Sequence, residues 1–236
     1  MLKALLLDLD GTLLPMDTDA FLRQYLRSIG QHVAHLTDPR QFTEHLMAAT
    51  EVMIRDTDKK VSNQEVFWAD FLQRVDVPAD KLLPVVDDFY VTRFPELKEH
   101  TFPTPLSKKI VETAGDKGLQ VVVATNPVFP TTAIEERLRW IGLHDYPFAL
   151  VTTYEKMHFC KPQIGYYAEI LELLGLEGQE CMMVGNDAYE DLVAAELGLQ
   201  TYLVQDYLIP RDGVNFKPDY QGNLAEFLQF ITEFNA

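Results

Sequence analysis

The chain has 236 residues, 47% apolar and 24% charged, with a formal net charge of -16; that length suits a core domain with an insertion, and that composition excludes a disordered or collagen-like chain. The summed negative field repels polyanions, which counts against nucleic acid as a general partner and requires any anionic substrate to meet a locally compensated site. Only Cys160 and Cys181 are cysteines, and no export signal or membrane span is readable, so the expectation is a cytoplasmic protein in a reduced compartment with no membrane partner.

The chain opens on KALLLDLDGTLL, residues 3 to 14. A continuous aliphatic run of this length predicts a strand covered on both faces, as in a parallel sheet. Asp8 and Asp10 interrupt it near its end. Two positions apart, they share a side if the strand continues that far, and Gly11 permits a sharp departure that turns both toward one crevice, with Thr12 fixing the turn. A buried carboxylate pair repels itself and is penalised by desolvation, so it calls for a metal or a proton.

Residues 15 to 103 break the strand rhythm. AFLRQYLRSI and EVFWADFLQRV carry helical periodicity, and Pro15 on one side and Pro103 and Pro105 on the other bound the segment. The expectation is a helical domain inserted after the first strand, with both linkers at that strand's carboxyl end. The core then comprises residues 1–14 and 104–236 and the cap residues 15–103. Met16 and Asp17 follow the first motif and are placed to face substrate, although Asp17 or Thr18 equally suits a helix cap. Phe67, Trp68, Phe71, Phe89 and Tyr90 fall mostly at helical spacing and read as cap core. His32 and His35, three apart with no third ligand near, read as solvated.

Beyond residue 104 short apolar runs return: LQVVVATN (119–126), FALVT (148–152), CMMVGND (181–187) and TYLV (201–204). Helices are expected over 163–174, after Pro162, and over 188–197. Gly-Leu pairs at Gly118, Gly142, Gly175 and Gly198 mark left-handed helix stops before the next strand. Strands alternating with helices predict an α/β fold: a doubly wound parallel sheet with right-handed crossovers, whose ligands bind at the carboxyl ends of the strands.

Those strand ends carry the chemistry. Asp8 and Asp10 follow the first strand, Thr125 and Asn126 the second, Lys161 stands before Pro162 at a helix start, and Asn186, Asp187 and Asp191 follow the run at 181–184. Asp187 and Asp191, four apart, face the same way on a first helical turn. Cys160 reads as a small packing residue and His158 as a surface-loop position.

This ordered set resembles the haloacid dehalogenase superfamily. DLDGT matches its first motif, the Thr125 strand end its second, KP with Lys161 its third and GNDAYED its acidic fourth, and the insertion is similar to a helical cap of the type placed between motifs one and two. The resemblance implies a magnesium-dependent phosphatase acting on a small phosphorylated metabolite. Asp8 would be the nucleophile, Asp10 the general acid and base, and Thr125 and Lys161 would hold the phosphoryl group, with backbone amides near Gly11 and Asn126 as further donors. Mg2+ would be bound by Asp8, the Asp10 carbonyl and the fourth motif. There the chain departs from the commonest pattern, with Asn186 where an aspartate usually follows the glycine. Carboxylate preference favours Asp187 as the direct ligand with Asn186 or Asp191 in the outer shell; Asn186 through its amide oxygen is the alternative. Asp10 disfavours the dehalogenase branch, which lacks an acid there. A phosphomutase and a non-catalytic binding module are the rival readings, and substrate identity and oligomeric state are not legible.

Overall fold

Four consecutive apolar residues, Ala4–Leu7, form strand β1, and all four are buried. The alternation of side chains along the strand sends them into two separate cores: Leu5 and Leu7 into one, Ala4 and Leu6 into the other. In the computed structural model, which describes all residues except 212, 214, 215, 235 and 236, the sheet continues with β2 (Gln120–Val123), β3 (Leu150–Val151), β4 (Cys181–Gly185), β5 (Gln200–Val204) and β6 (Tyr220–Gly222). The strands pair in parallel in the order β3-β2-β1-β4-β5-β6. β1 is therefore central, with Leu5 opposite Val121 on one side and Met182 on the other. This is a doubly wound parallel α/β fold.

Helices α5 (Pro105–Asp116), α6 (Thr131–Trp140) and α8 (Leu224–Glu233) contribute Ile110, Val111, Ile134, Leu138 and Phe227 to the first core. Helix α7 (Ile164–Leu174) supplies Tyr166, Tyr167 and Ile170 to the second. Gly175 ends α7 at φ 65°, left-handed as expected, and its N–H bonds back to the last turn.

Two elements depart from the sequence reading. β6 was not expected, because Tyr220 and Gln221 are exposed and the strand contains no apolar run. Residues 188–197 do not form the expected α-helix: a turn leads into a 3-10 helix at Leu192–Leu197. Here carboxylates satisfy the backbone, Asp187 Oδ1 accepting the N–H groups of Tyr189 and Glu190 at 2.8 and 2.9 Å.

The segment between β1 and α5 is helical: α1 (Thr18–His32), α2 (Pro39–Arg55), α3 (Asn63–Arg74), α4 (Ala79–Thr92) and a 3-10 helix, Phe94–His100. Asp17 caps α1, its carboxylate accepting from the Ala20 N–H at 2.8 Å. Phe42, Phe71 and Phe89 are buried, with Phe42 edge-on to Phe71 at 5.3 Å. Phe94 stacks on Trp140 of α6 at 5.6 Å, so the core of the inserted cap is continuous with that of the sheet. His32 faces Asp88, and His35 lies exposed.

Besides the two linkers, which meet where the Phe102 N–H donates to the Pro15 carbonyl at 2.8 Å, a second attachment ties cap to core at Asn63. Its backbone N–H donates to Met157 O at 2.9 Å, and its fully buried amide donates to Pro127 O, Phe159 O and Cys160 Sγ at 3.2 to 3.3 Å. Asn63→Ala is expected to cost about 1–3 kcal/mol, the cost of stranding buried acceptors. Urea denaturation checks the magnitude, and hydrogen exchange at residues 61–64 checks that the loss is local.

Candidate active site

The backbone around the first motif dictates where its carboxylates go. The ladder extends one residue past β1, the Asp8 N–H donating to Val184 O at 2.9 Å, and then Gly11 at φ 83° turns the chain back so that its N–H donates to Leu14 O. A Cβ on Gly11 would stand 2.2 Å from Asn186 Nδ2, so both the backbone angle and the close approach of the fourth motif require glycine. Thr12 fixes the turn as its hydroxyl meets Asp8 Oδ2 at 3.2 Å and Asn186 Oδ1 at 3.1 Å.

Lys161 joins three parts of the chain. Its ammonium donates to Asp8 Oδ1 at 3.0 Å and to Asp191 Oδ1 at 2.6 Å, and its side chain is almost wholly buried. Asn126 holds the lysine backbone, accepting from Lys161 N at 3.2 Å. Burial raises the Asp8 carboxyl above its ordinary range against the pull of Lys161, and Asp10 adds to the rise. Asp191 is pushed up to about 6, also by burial first. For Lys161 burial opposes the charge, but Asp191 and Asp8 together hold its pKa well above the usual lysine value.

The Asp191 carboxylate also accepts the Asp187 N–H at 2.9 Å. Asp187 itself is ion-paired to Arg211, whose Nε donates to Oδ2 at 2.9 Å. Asn186 donates to the Tyr207 carbonyl at 2.6 Å. Asp10 pairs through Oδ2 with the guanidinium of Arg137, while its Oδ1 is buried without a partner.

A cavity of about 230 Å³ opens at the carboxyl ends of β1, β2 and β4 and brings Asp8, Asp10, Thr125, Asn126, Lys161, Asn186, Asp187 and Asp191 to one lining. Gly11 lies behind it, under Asn186. Among the described residues no group of three His, Cys, Asp or Glu side chains stands ready-made as a metal cage. His158 bonds to Glu169 at 2.6 Å instead of lining the cavity. Cys160 is buried, and burial pushes its thiol up, so it is inert packing.

Three charged residues at the site escaped the sequence reading. Arg137 is fully buried and stacks 4.3 Å over the Phe129 ring. Its signal was present: Ala133, Ile134, Leu138 and Ile141 form an apolar helical stripe, and Arg137 falls within it. Glu190 lines the cavity, accepts from Asn126 Nδ2 at 3.1 Å and is pushed up to about 7, chiefly by burial. Arg211 follows Leu208, Ile209 and Pro210 in a loop with no periodicity to mark it.

The family model described as haloacid dehalogenase-like hydrolase matches residues 2–198. Among similar solved structures are a HAD phosphatase from Thermococcus onnurineus (21% identity, 98% of each chain covered, TM-score 0.59) and CbbY from Rhodobacter sphaeroides in complex with phosphate (20%, 96% of each, TM-score 0.60). A third is the putative HAD-hydrolase YfnB from Bacillus subtilis bound to magnesium (18%, 98% of each, TM-score 0.58). Dehalogenases match as well. At these identities the likeness establishes the fold alone. No curated protein matches the sequence. No helix among the described residues is long and apolar enough to cross a membrane.

Arg137→Met is expected to lower stability by about 3 kcal/mol, because it leaves the Asp10 carboxylate without its cation. Adding Asp10→Asn should recover part of that loss, since the stranded charge is then gone. A double-mutant cycle by urea denaturation measures both.

Proposed function

The chain belongs to the haloacid dehalogenase-like hydrolases, and from that premise we propose that it is a cytoplasmic, magnesium-dependent phosphatase that releases phosphate from a small phosphorylated metabolite by way of an aspartyl phosphate. In this reading residues 1–14 and 104–236 are the catalytic core and residues 15–103 the cap. The observation that carries it is the pairing on one cavity of Asp8, held by Lys161, with a second carboxylate two residues on, Asp10, whose Oδ1 has no partner. Removal of a halide needs no proton donor at the leaving atom; cleavage of a phosphate ester does.

Asp8 attacks phosphorus in line, and the bond to the leaving oxygen breaks as Asp10 Oδ1 delivers a proton to it. The same oxygen of Asp10 then takes a proton from water as that water attacks the aspartyl phosphate, which frees Asp8 and phosphate. Lys161 and Thr125 hold the phosphoryl oxygens, with the Asn126 and Gly11 backbone amides as further donors. In the free site Asp191 and Asp8 hold the Lys161 pKa well above the usual lysine value, so the ammonium meets the phosphoryl group as a cation.

The donor chemistry fits magnesium. Asp8, Asp10, Asp187, Glu190 and Asp191 line the cavity against the cations Lys161 and Arg211, with Arg137 behind Asp10, so full ionisation leaves two negative charges unbalanced among hard oxygen donors. Asp8, the Asp10 carbonyl and Asp187 would hold the ion, with Asn186 and Asp191 around them. Arg211, 42% exposed, is the partner of Asp187 that would give way at small cost. When bound, magnesium supplies neutralisation of the charge gathered on the phosphoryl oxygens.

Purified wild type is expected to release phosphate from phosphomonoesters with magnesium and to lose that activity with a chelator. Asp8→Asn should lower turnover by at least about a thousandfold. Turnover that survives either change would overturn the assignment; transfer of the phosphoryl group to a second sugar instead of water would mark a mutase.

A further inference from the structure

The wall of the cavity that does not carry the motifs is built mainly from hydrocarbon. Thr18, Phe21 and Leu22 line it at positions i, i+3 and i+4 of α1, one face of that helix, and Val128, Phe129 and Ile209 complete it. Amid these side chains one polar atom is free: Thr18 Oγ1 is buried and has no hydrogen-bond partner. The two cations in the lining are both engaged, Lys161 with Asp8 and Asp191 and Arg211 with Asp187 and Glu190.

Resting on the phosphatase reading above, we propose that the leaving alcohol is short and largely apolar and carries a single hydroxyl or carbonyl that meets Thr18. The volume of about 230 Å³ lies below the usual range for ligand pockets, roughly 300–1,000 Å³, and leaves room for a phosphoryl group and a small substituent. A polyol would press several hydroxyls against Phe21, Leu22, Val128, Phe129 and Ile209, where each unpaired one is penalised. A carboxylate or a second phosphate on the leaving group would lie against the same hydrocarbon wall, where an unpaired charge is penalised more heavily than a hydroxyl. One added hydroxyl, by contrast, has a polar partner in that wall, since Thr18 lines the cavity and its Oγ1 makes no hydrogen bond within the protein.

The test compares four-carbon esters on magnesium-loaded wild type: butyl phosphate, a monohydroxybutyl phosphate, erythritol 4-phosphate and a carboxypropyl phosphate. The matching phosphonates are measured in parallel for binding to Asp8→Asn by calorimetry. The expected result is that butyl and monohydroxybutyl phosphates exceed the other two in kcat/KM by at least about tenfold, with the phosphonates ranked alike. Leu22→Asn should narrow that gap, and Thr18→Val should lower kcat/KM for the monohydroxy ester about tenfold more than for butyl phosphate. Equal use of all four, or preference for the polyol or the carboxylate, overturns the inference and leaves the phosphatase reading standing. If no ester is hydrolysed, the phosphatase reading falls, and phosphonate binding alone decides: preference for the alkyl compounds upholds the apolar subsite, while equal or absent binding overturns it.

Discussion

A single buried ammonium organises the site. Lys161 Nζ lies between Asp8 and Asp191, and none of the three would be stable alone in that position, because an isolated buried charge is penalised by several kcal/mol after relaxation. The carboxylates come from the end of β1 and the turn after β4, and the lysine from the loop before α7. Satisfying them therefore requires β1 and β4 to be neighbours in register and α7 to start where it does. Two small features make the approach possible. Asn126, at the end of β2, fixes the lysine's backbone, and a Cβ on Gly185 would fall 2.0 Å from Asp191 Oδ2, so only glycine admits that carboxylate.

This dependence explains which parts of the molecule were legible in the sequence. β1, β2, β4 and β5 are buried runs of branched or long apolar residues, and their ends must carry whatever chemistry a doubly wound sheet performs; Asp8, Asp10, Thr125, Asn126, Asn186, Asp187 and Asp191 could thus be read from strand ends alone. All of them meet at one cavity. What stayed hidden is structure whose cause is tertiary. β6 exists because its backbone pairs with β5, from Tyr202 opposite Tyr220 to Val204 opposite Gly222, although two of its three residues are exposed. The 188–197 segment has helical spacing, but Asp187 and Asp191 spend their acceptors on backbone amides and leave a turn and a 3-10 helix. Arg211 reaches Asp187 from a loop that no periodicity describes.

Arg137 is the clearest case. A charged residue in AIEERLRW reads as solvent-facing, yet it occupies the apolar stripe of α6 and is tolerated there because Asp10 and the Phe129 ring receive it. The spacing held the information; composition concealed it. A charge inside an apolar stripe, like a carboxylate at a strand end, marks a place where ordinary patterning has been overridden at a cost in stability, and such conflicts concentrate where a site is built.

The same arginine ties the two walls of the cavity together. Phe129 lines the apolar wall and stacks on Arg137, while Arg137 pairs with Asp10 on the charged wall. Phe94 of the cap lies 5.7 Å from the same guanidinium, stacks on Trp140 and meets Phe21 of α1 edge-on at 6.3 Å. The helix face that lines the apolar wall is thus packed against the aromatic residues that hold the partner of Asp10. Displacing α1 would disturb Phe94 and with it the surroundings of Arg137. Because close-packed interiors transmit such shifts instead of absorbing them, the shape of the apolar wall and the placement of the Asp10 carboxylate are not independent in this fold.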